Sequence, residues 1–186
     1  MNSFDARVRY TRMVIEENFL KLLEKKPVYK ITVTELCQLC QINRATFYKH
    51  YLDIPGLQEK LEERLFEQIR SAFQDHASGM ESFLTDMLNF VRQEGMRFMV
   101  LGSDNGDPAL MTKTFAICYE SAYSILEEDF PAISEEQRQM LYHFLTQGCG
   151  GVLTHWIKNG MNETPEAVVS FVMQTCANVL APLRKS

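Results

Sequence analysis

Residues 31–51 read ITVTELCQLCQINRATFYKHY, and this segment holds more helix-boundary signals than any other part of the chain. Thr32 is followed by Glu35 in the S/T-x-x-E form of a capping box, which predicts that a short helix begins just after Thr32. Asn43 is a good N-cap for a second short helix. Because few residues separate the two helices, a tight turn must join them. The segment therefore predicts a helix-turn-helix.

The second short helix should have one apolar side and one polar side. Phe47 and Tyr51 are four residues apart, so they should pack inward together with Ile42. The opposite side can then enter the major groove of DNA. On the grounds of their hydrogen-bonding groups, we expect Arg44, Ala45 and Thr46 at base edges, and Thr32, Tyr48, Lys49 and His50 on phosphates.

Helical periodicity dominates the rest of the chain, and no segment alternates apolar and polar residues with period two. Asp53 can cap a fourth helix whose apolar residues recur every four positions. The predicted helices cover 5–25, 33–40, 44–50, 53–73, 80–100, 110–128, 134–158 and 165–181. We therefore expect an all-α fold.

Charge is distributed unevenly along the chain. Residues 1–60 hold ten Lys and Arg against seven Asp and Glu, whereas residues 61–186 hold nine against seventeen. This asymmetry indicates a cationic end that meets a polyanion. No apolar run is long enough to span a bilayer, and the N-terminus lacks the order of a signal peptide. Five cysteines, an odd number, fit free thiols in a reducing compartment, so we expect a cytoplasmic protein without membrane contact.

The runs ITVTEL at 31–36 and INRATFYKHY at 42–51 resemble the DNA-binding domain of the TetR family, and the Thr-Phe-Tyr-x-His-Tyr core is the most specific part. The resemblance covers about the first third of the chain. It implies phosphate contacts at Thr32, Tyr48 and His50, and it places the residues from Asn43 to Thr46 near bases or the adjacent backbone. Gln41 and Cys40 stand where many members have Gly and Ala, so Gln41 must accept the backbone geometry of the turn.

The resemblance further implies a three-helix DNA-binding domain over 1–60 and a helical ligand-binding and dimerisation domain over 61–186. Met and aromatic residues line adaptable cavities, although core packing also explains them. The expected ligand-pocket residues are Met87, Phe90, Phe98, Phe115, Tyr119, Tyr123 and Trp156. Wide apolar arcs on the last two helices suit either a two-fold interface or burial within one chain. The expected dimer residues are Leu145, Gly148, Val152, Val168, Val172, Cys176 and Val179.

These features predict a homodimeric, ligand-responsive transcriptional regulator that binds a pseudo-palindromic operator in double-stranded DNA. Repression is expected, because no segment for recruiting polymerase is visible, and release would follow binding of an unknown small molecule. No cofactor, metal or enzymatic activity is expected. One alternative is a coactivator that keeps the fold but acts through a protein partner. Another is a redox enzyme using Cys37-x-x-Cys40, although two small buried residues are the better explanation of that spacing.

Overall fold

The computed structural model describes residues 3–73 and 79–181, and no strand occurs within these ranges. Eight α-helices and one short 3-10 helix make up the regular structure there. They are α1 (Ser3–Leu23), the 3-10 helix (Val28–Lys30), α2 (Val33–Cys40), α3 (Arg44–Tyr48), α4 (Ile54–Phe73), α5 (Gly79–Leu101), α6 (Leu110–Asp129), α7 (Glu135–Lys158) and α8 (Pro165–Leu180). The all-α prediction is confirmed. The break predicted near Ala77 lies outside the described residues.

Side-chain caps explain where several helices begin. The Thr32 hydroxyl accepts a hydrogen bond from the Glu35 amide at 3.2 Å, and Asp53 Oδ1 accepts from the Gly56 amide at 2.7 Å. These bonds satisfy backbone N–H groups that a helix start leaves free. The capping box predicted at Thr32 is only half formed, because the Glu35 carboxylate instead pairs with the Lys26 ammonium at 2.5 Å. A complete box occurs at Ser134.

The chain folds as two compact units. The first comprises Met1–Glu67 and Arg97–Thr112, and the second comprises Gln68–Met96 and Lys113–Ser186. The first unit is therefore larger than the segment 1–60 expected from the sequence. Its core is built from the fully buried side chains of Ile15, Phe19, Leu23, Leu36, Phe47, Leu57, Leu65, Leu101 and Leu110.

A buried carboxylate links three parts of the first unit. Glu16 on α1 is only 7% exposed. The Tyr51 hydroxyl donates to Glu16 Oε1 at 2.5 Å, and Arg64 Nη2 on α4 lies 2.6 Å from the same oxygen. Tyr51 packs inward as predicted, but its charged partner was not foreseen.

The second unit contains the end of α4, most of α5 and α6, and all of α7 and α8. Gly160 and Met161 have positive φ angles of 80° and 53°, which form the left-handed turn expected after α7. The Trp156 indole N–H donates to the Glu163 carbonyl at 3.1 Å and so ties α7 to the turn that precedes α8. None of the helices in the described ranges combines the length and apolar character that a membrane crossing needs.

Candidate nucleic-acid interface

The turn between α2 and α3 is a Schellman motif with an unusual residue at its left-handed position. The Ile42 amide donates to the Cys37 carbonyl at 3.0 Å, and the Gln41 amide donates to the Gln38 carbonyl at 3.2 Å. Gln41 adopts φ 54° and ψ 41°, a conformation that glycine usually supplies. Gln41 thus accepts the backbone geometry that the family resemblance requires of it.

One face of α3 is open to solvent and the other is buried. Phe47 is fully buried, and Tyr51 and the half-buried Ile42 lie on the same inner side. The exposed residues of the predicted DNA surface are Thr32, Asn43, Arg44, Ala45, Tyr48 and Lys49, and the half-buried ones are Thr46 and His50. On the inner face of α2, Leu36, Cys37 and Cys40 are buried, whereas the apolar side chain of Leu39 is 51% exposed.

Arg44 is held beside Tyr48 on the open face of α3. Its Nη2 atom donates to the Tyr48 hydroxyl at 3.2 Å, and its guanidinium carbon lies 5.8 Å from the centre of the Tyr48 ring. Tyr48 is itself supported by an edge contact with the buried Phe47 ring, with 5.5 Å between centroids. Because the guanidinium carries five N–H donors, this contact leaves donors free for a base or a phosphate.

Asn43 and Thr46 share a local network that limits what each can offer to DNA. Asn43 Oδ1 accepts from both the Thr46 amide at 2.7 Å and the Thr46 hydroxyl at 2.9 Å. The Thr46 hydroxyl uses its proton in this bond, so toward DNA it can only accept a hydrogen bond. The Asn43 amide nitrogen keeps two N–H donors that suit a phosphate or a base acceptor.

A basic cluster extends the polar face beyond α3, and we define it as Arg12, Lys49, His50 and Lys60. Burial lowers the pKa of His50, and the positive charges of Arg12, Lys49 and Lys60 lower it further. Lys60 Nζ also donates to the His50 carbonyl at 3.1 Å. Sequence reasoning missed Arg12 and Lys60, because they come from α1 and α4 and meet His50 only in the folded unit.

An apolar groove between α7 and α8 gathers most of the predicted dimer residues. It is lined by Phe144, Leu145, Gly148, Cys149, Val152, Phe171, Val172, Thr175, Cys176 and Val179. Of the predicted set, Val168 is buried and does not line the groove. Phe144 and Phe171 were not predicted, although they are 59% and 60% exposed. The signal for Phe144 was its spacing of four residues from Gly148.

Comparison with known proteins identifies the family to which the chain belongs. Residues 78–178 match the TetR_C_8 family, described as a transcriptional regulator C-terminal region. This chain belongs to the TetR family of transcriptional regulators. The helix-turn-helix motif lies outside the matched residues, so the two observations that identify this TetR-family regulator come from different parts of the chain.

Solved structures resemble this TetR-family regulator over nearly its whole length. A TetR transcriptional regulator from Streptococcus agalactiae 2603V is 25% identical, with 94% of this chain and 98% of that chain covered and a TM-score of 0.62. A transcriptional regulator from Pseudomonas aeruginosa PAO1 is 12% identical, with coverage of 94% and 92% and a TM-score of 0.64. The dihydroxyacetone kinase operon activator DhaS is 16% identical, with coverage of 94% and 96% and a TM-score of 0.61. The last two likenesses show the fold alone. No curated protein gives a significant match.

Two of the predicted pocket residues meet in a tyrosine cluster, which we define as Tyr119, Tyr123 and Tyr142. The Tyr119 and Tyr123 rings stack with 5.0 Å between centroids, and Tyr142 meets Tyr119 edge-on at 4.8 Å. The Tyr123 hydroxyl donates to Glu135 at 2.5 Å, and burial together with this contact raises the pKa of Tyr123 to about 12. Tyr123 therefore stays protonated at neutral pH.

The other predicted pocket residues of this TetR-family regulator are dispersed. Phe98 belongs to the first compact unit, and Trp156 is buried with its N–H group already bonded. Met87 and Phe90 are half-buried on α5, and the side chain of Phe115 lies outside the described residues. Of the seven predicted pocket residues, Tyr119 and Tyr123 are the two that the structure brings together, through their stacked rings.

The two thiols of α2 in this TetR-family regulator lie in the core of the first unit. Cys37 and Cys40 are buried, and the Cys40 thiol donates to the Val14 carbonyl at 3.6 Å. Burial raises the pKa of both, and that of Cys40 reaches about 11. A thiol kept protonated is a poor nucleophile and a poor metal ligand. In the described part of the chain no group of three potential metal ligands occurs, and small buried residues account for the C-x-x-C spacing.

Proposed function

We propose that this protein is a homodimeric repressor that binds a pseudo-palindromic operator through α3 and is released from it by a small molecule. The observation that carries the proposal is the open face of α3, where Arg44 is held beside Tyr48 above a fully buried Phe47. A short helix anchored on one side and polar on the other is suited to the major groove.

Within that face the residues have different proposed roles. Arg44 would donate its free N–H groups to guanine, and Ala45 would contact a thymine methyl group. Because the hydroxyl proton of Thr46 is engaged by Asn43, Thr46 would accept from an adenine or cytosine amino group. Contacts to phosphates are proposed for Thr32, Asn43, Tyr48 and the basic cluster.

The groove between α7 and α8 is proposed as the dimer interface. Its lining is almost entirely apolar and brings the exposed rings of Phe144 and Phe171 into one contiguous patch, the kind of surface that marks a protein interface. A second copy related by a two-fold axis would present the same groove and bury both. The dimer would hold two α3 helices at a fixed spacing, as a palindromic operator requires.

The effector site is proposed in the second unit around the tyrosine cluster. Its stacked rings offer an apolar surface, and Tyr119 is partly exposed. A ligand bound there would favour the conformation that binds DNA less well, to the extent that it binds the two conformations with different affinity. Repression is proposed because it is typical of the family. The fold itself leaves the direction of regulation open, since DhaS, a protein of the same fold, is described as an operon activator.

The decisive experiment is selection of bound duplexes from genomic fragments, followed by affinity measurements over a range of salt concentrations. Arg44→Ala should weaken binding by about 5- to 150-fold, equivalent to about 1–3 kcal/mol, and should relax the preference at one base. Lys49→Ala should weaken binding to all sequences and make the salt dependence shallower. Arg70→Ala removes another exposed charge, in the second unit, and serves as the control.

The outcomes separate the repressor from its rival. Loss of selective binding in Arg44→Ala, with Arg70→Ala unchanged, supports the proposal. If the purified protein selects no duplex, the coactivator acting through a protein partner becomes the better explanation. If it selects a duplex that Arg44→Ala binds with unchanged selectivity, the proposed contact of Arg44 with a base is refuted.

The dimer is tested by sedimentation of charged variants. Phe171→Glu places a carboxylate in the groove and should shift the protein to a monomer at micromolar concentration, because burying an unpaired charge costs several kcal/mol. Met96→Glu places the same charge at a residue that is 56% exposed and outside the groove lining, so it should leave the assembly unchanged. A wild-type protein that sediments as a monomer would refute the interface.

A further inference from the structure

Residues 102–109 connect α5 to α6 and lie between the helices predicted over 80–100 and 110–128. In the structure this loop belongs to the same compact unit as the helix-turn-helix. Asn105 is the residue that joins it to the N-terminal helices. Its side-chain amide donates to the Leu23 carbonyl at 2.9 Å, and its own carbonyl accepts from the Val28 amide at 2.8 Å.

These two bonds satisfy backbone groups on either side of one turn. Leu23 is the last residue of α1, and Val28 is the first residue of the 3-10 helix, so neither group has a partner from the regular pattern of its own helix. Asn105 therefore holds together both ends of the turn that leads into α2. From Val28 the connection continues through the Ile31 amide, which donates to the Val28 carbonyl at 3.0 Å, to the adjacent cap Thr32.

The loop that carries Asn105 is tightly folded and anchored. The Asp107 amide donates to the Leu101 carbonyl at 2.7 Å, and the Gly106 amide donates to the Ser103 carbonyl at 2.9 Å. A methyl group on Gly106 would lie 2.1 Å from the Leu101 carbonyl oxygen, so only glycine fits there. Leu101 and Leu110, at the two ends of the loop, are fully buried. Asn105 thus has a defined position relative to the ends of α5 and α6.

The helices on either side of the loop run into the second unit. α5 is continuous from Gly79 to Leu101, with its residues up to Met96 in the second unit. α6 starts at Leu110 and enters the second unit at Lys113. Because each helix is continuous, a shift of α5 or α6 along its axis would also move the end of the loop to which that helix is joined.

We propose that Asn105 is a positioning residue that couples the conformation of α5 and α6 to the helix-turn-helix, by holding the turn between α1 and α2. This inference rests on the proposed DNA-binding function and specifies how its regulation reaches the recognition helix. Asn105 itself makes no contact with DNA in this scheme.

Coupling between two sites is reciprocal, so it can be tested from the DNA side without an effector. The probe is a duplex obtained in the selection described above, and the readout is amide hydrogen exchange along the full-length protein with and without that duplex. In the wild type, DNA should slow exchange in α2 and α3 and should also change exchange in α5 and α6 within the second unit.

Asn105→Ala should separate these responses. DNA should still protect α2 and α3, but the change in α5 and α6 should disappear. The Val28 amide keeps its bond to the carbonyl of residue 105, but it should exchange about fivefold faster in the free protein, because the turn around it loses the bond to the Leu23 carbonyl. The slope of affinity against salt concentration should be unchanged, because no phosphate contact is lost. Asn89→Ala, an exposed position on α5, is the matched control and should behave as the wild type.

A second variant, Asn105→Ser, guards against a folding defect, because it keeps the backbone bond of residue 105 and a small neutral side chain that is too short to replace the bond to the Leu23 carbonyl. It should lose the response in α5 and α6 as Asn105→Ala does, with a cooperative thermal transition retained. The proposal is overturned if either folded variant shows the wild-type response in α5 and α6, or if DNA causes no such response in the wild type. A protein that selects no duplex fails at the proposed function, and this inference fails with it.

Discussion

Replacing Tyr51 by phenylalanine removes one hydroxyl from the buried network on Glu16 and leaves the ring contact with Phe47, at 5.8 Å between centroids, in place. A hydrogen bond to a charged group contributes about 1.5–3 kcal/mol. Glu16 keeps its ion pair with Arg64 at 2.6 Å, so the carboxylate is not left without a partner. Because Arg64 is 46% exposed, solvent screens that remaining pair and limits how far it can compensate.

We therefore expect Tyr51→Phe to lower the free energy of unfolding by about 1.5–2.5 kcal/mol. For a chain of this length the same change lowers Tm by about 3–10 °C. Urea unfolding followed by circular dichroism measures the free energy, and a thermal scan measures Tm. Tyr10→Phe, an exposed tyrosine on the same helix as Glu16, is the matched control and should change neither quantity.

A double-mutant cycle identifies the bond that is responsible. In a Glu16→Gln background the acceptor is neutral, so Tyr51→Phe should cost less than in the wild type. If the free energy of unfolding of Tyr51→Phe lies within about 0.5 kcal/mol of the wild-type value, as it does for most surface substitutions, the hydroxyl of Tyr51 contributes nothing measurable to stability and the prediction is wrong.

Three further predictions concern other elements. Gln41→Gly should stabilise the protein by about 0.5–1 kcal/mol in urea, because glycine adopts the left-handed conformation without strain, whereas Gln41→Ala should bring no gain. The pKa of His50 is lowered in the folded protein, so below the ordinary pKa of histidine the unfolded chain binds more protons, and the free energy of unfolding falls as pH decreases. His50→Gln should therefore lose less of this free energy between pH 8 and pH 5.5 than the wild type does. An equal loss in both proteins would exclude His50 as the cause. Gly106→Ala should cost at least about 2 kcal/mol because its methyl group meets a backbone oxygen, while Gly151→Ala, with nothing within 4 Å, should be neutral or stabilising.

Much of the helical architecture was predictable from the sequence, because the signals for it are local. Thr32, Asn43 and Asp53 each accept a hydrogen bond from a backbone amide three residues later, so the residues that set the start of each helix lie within a few positions of it. The inward side of α3 was predictable for the same reason, since Phe47 and Tyr51 lie one helical turn apart. The helix-turn-helix was predicted correctly on this basis, and the family was predicted correctly from the resemblance of residues 31–36 and 42–51 to the TetR DNA-binding domain.

Long-range contacts could not be predicted in this way. Nothing in the sequence around Glu16 distinguishes it from a solvent-exposed acid on α1. Only the fold brings it into contact with Tyr51 and Arg64. The half-formed capping box has the same cause, because Lys26 competes for the Glu35 carboxylate from outside the helix. Leu39 is apolar and yet 51% exposed, because Leu36, Cys37 and Cys40 already fill the inner face of α2.

The amino-acid sequence by itself determined the helices, their caps and the polar face of α3, since each depends on interactions between residues a few positions apart. Tertiary structure alone decided which charges surround His50, which phenylalanines line the groove between α7 and α8, and that Asn105 closes a turn 82 residues before it in the chain. Such contacts depend on the packing of whole helices, and a local pattern carries no information about which distant helix will lie beside it.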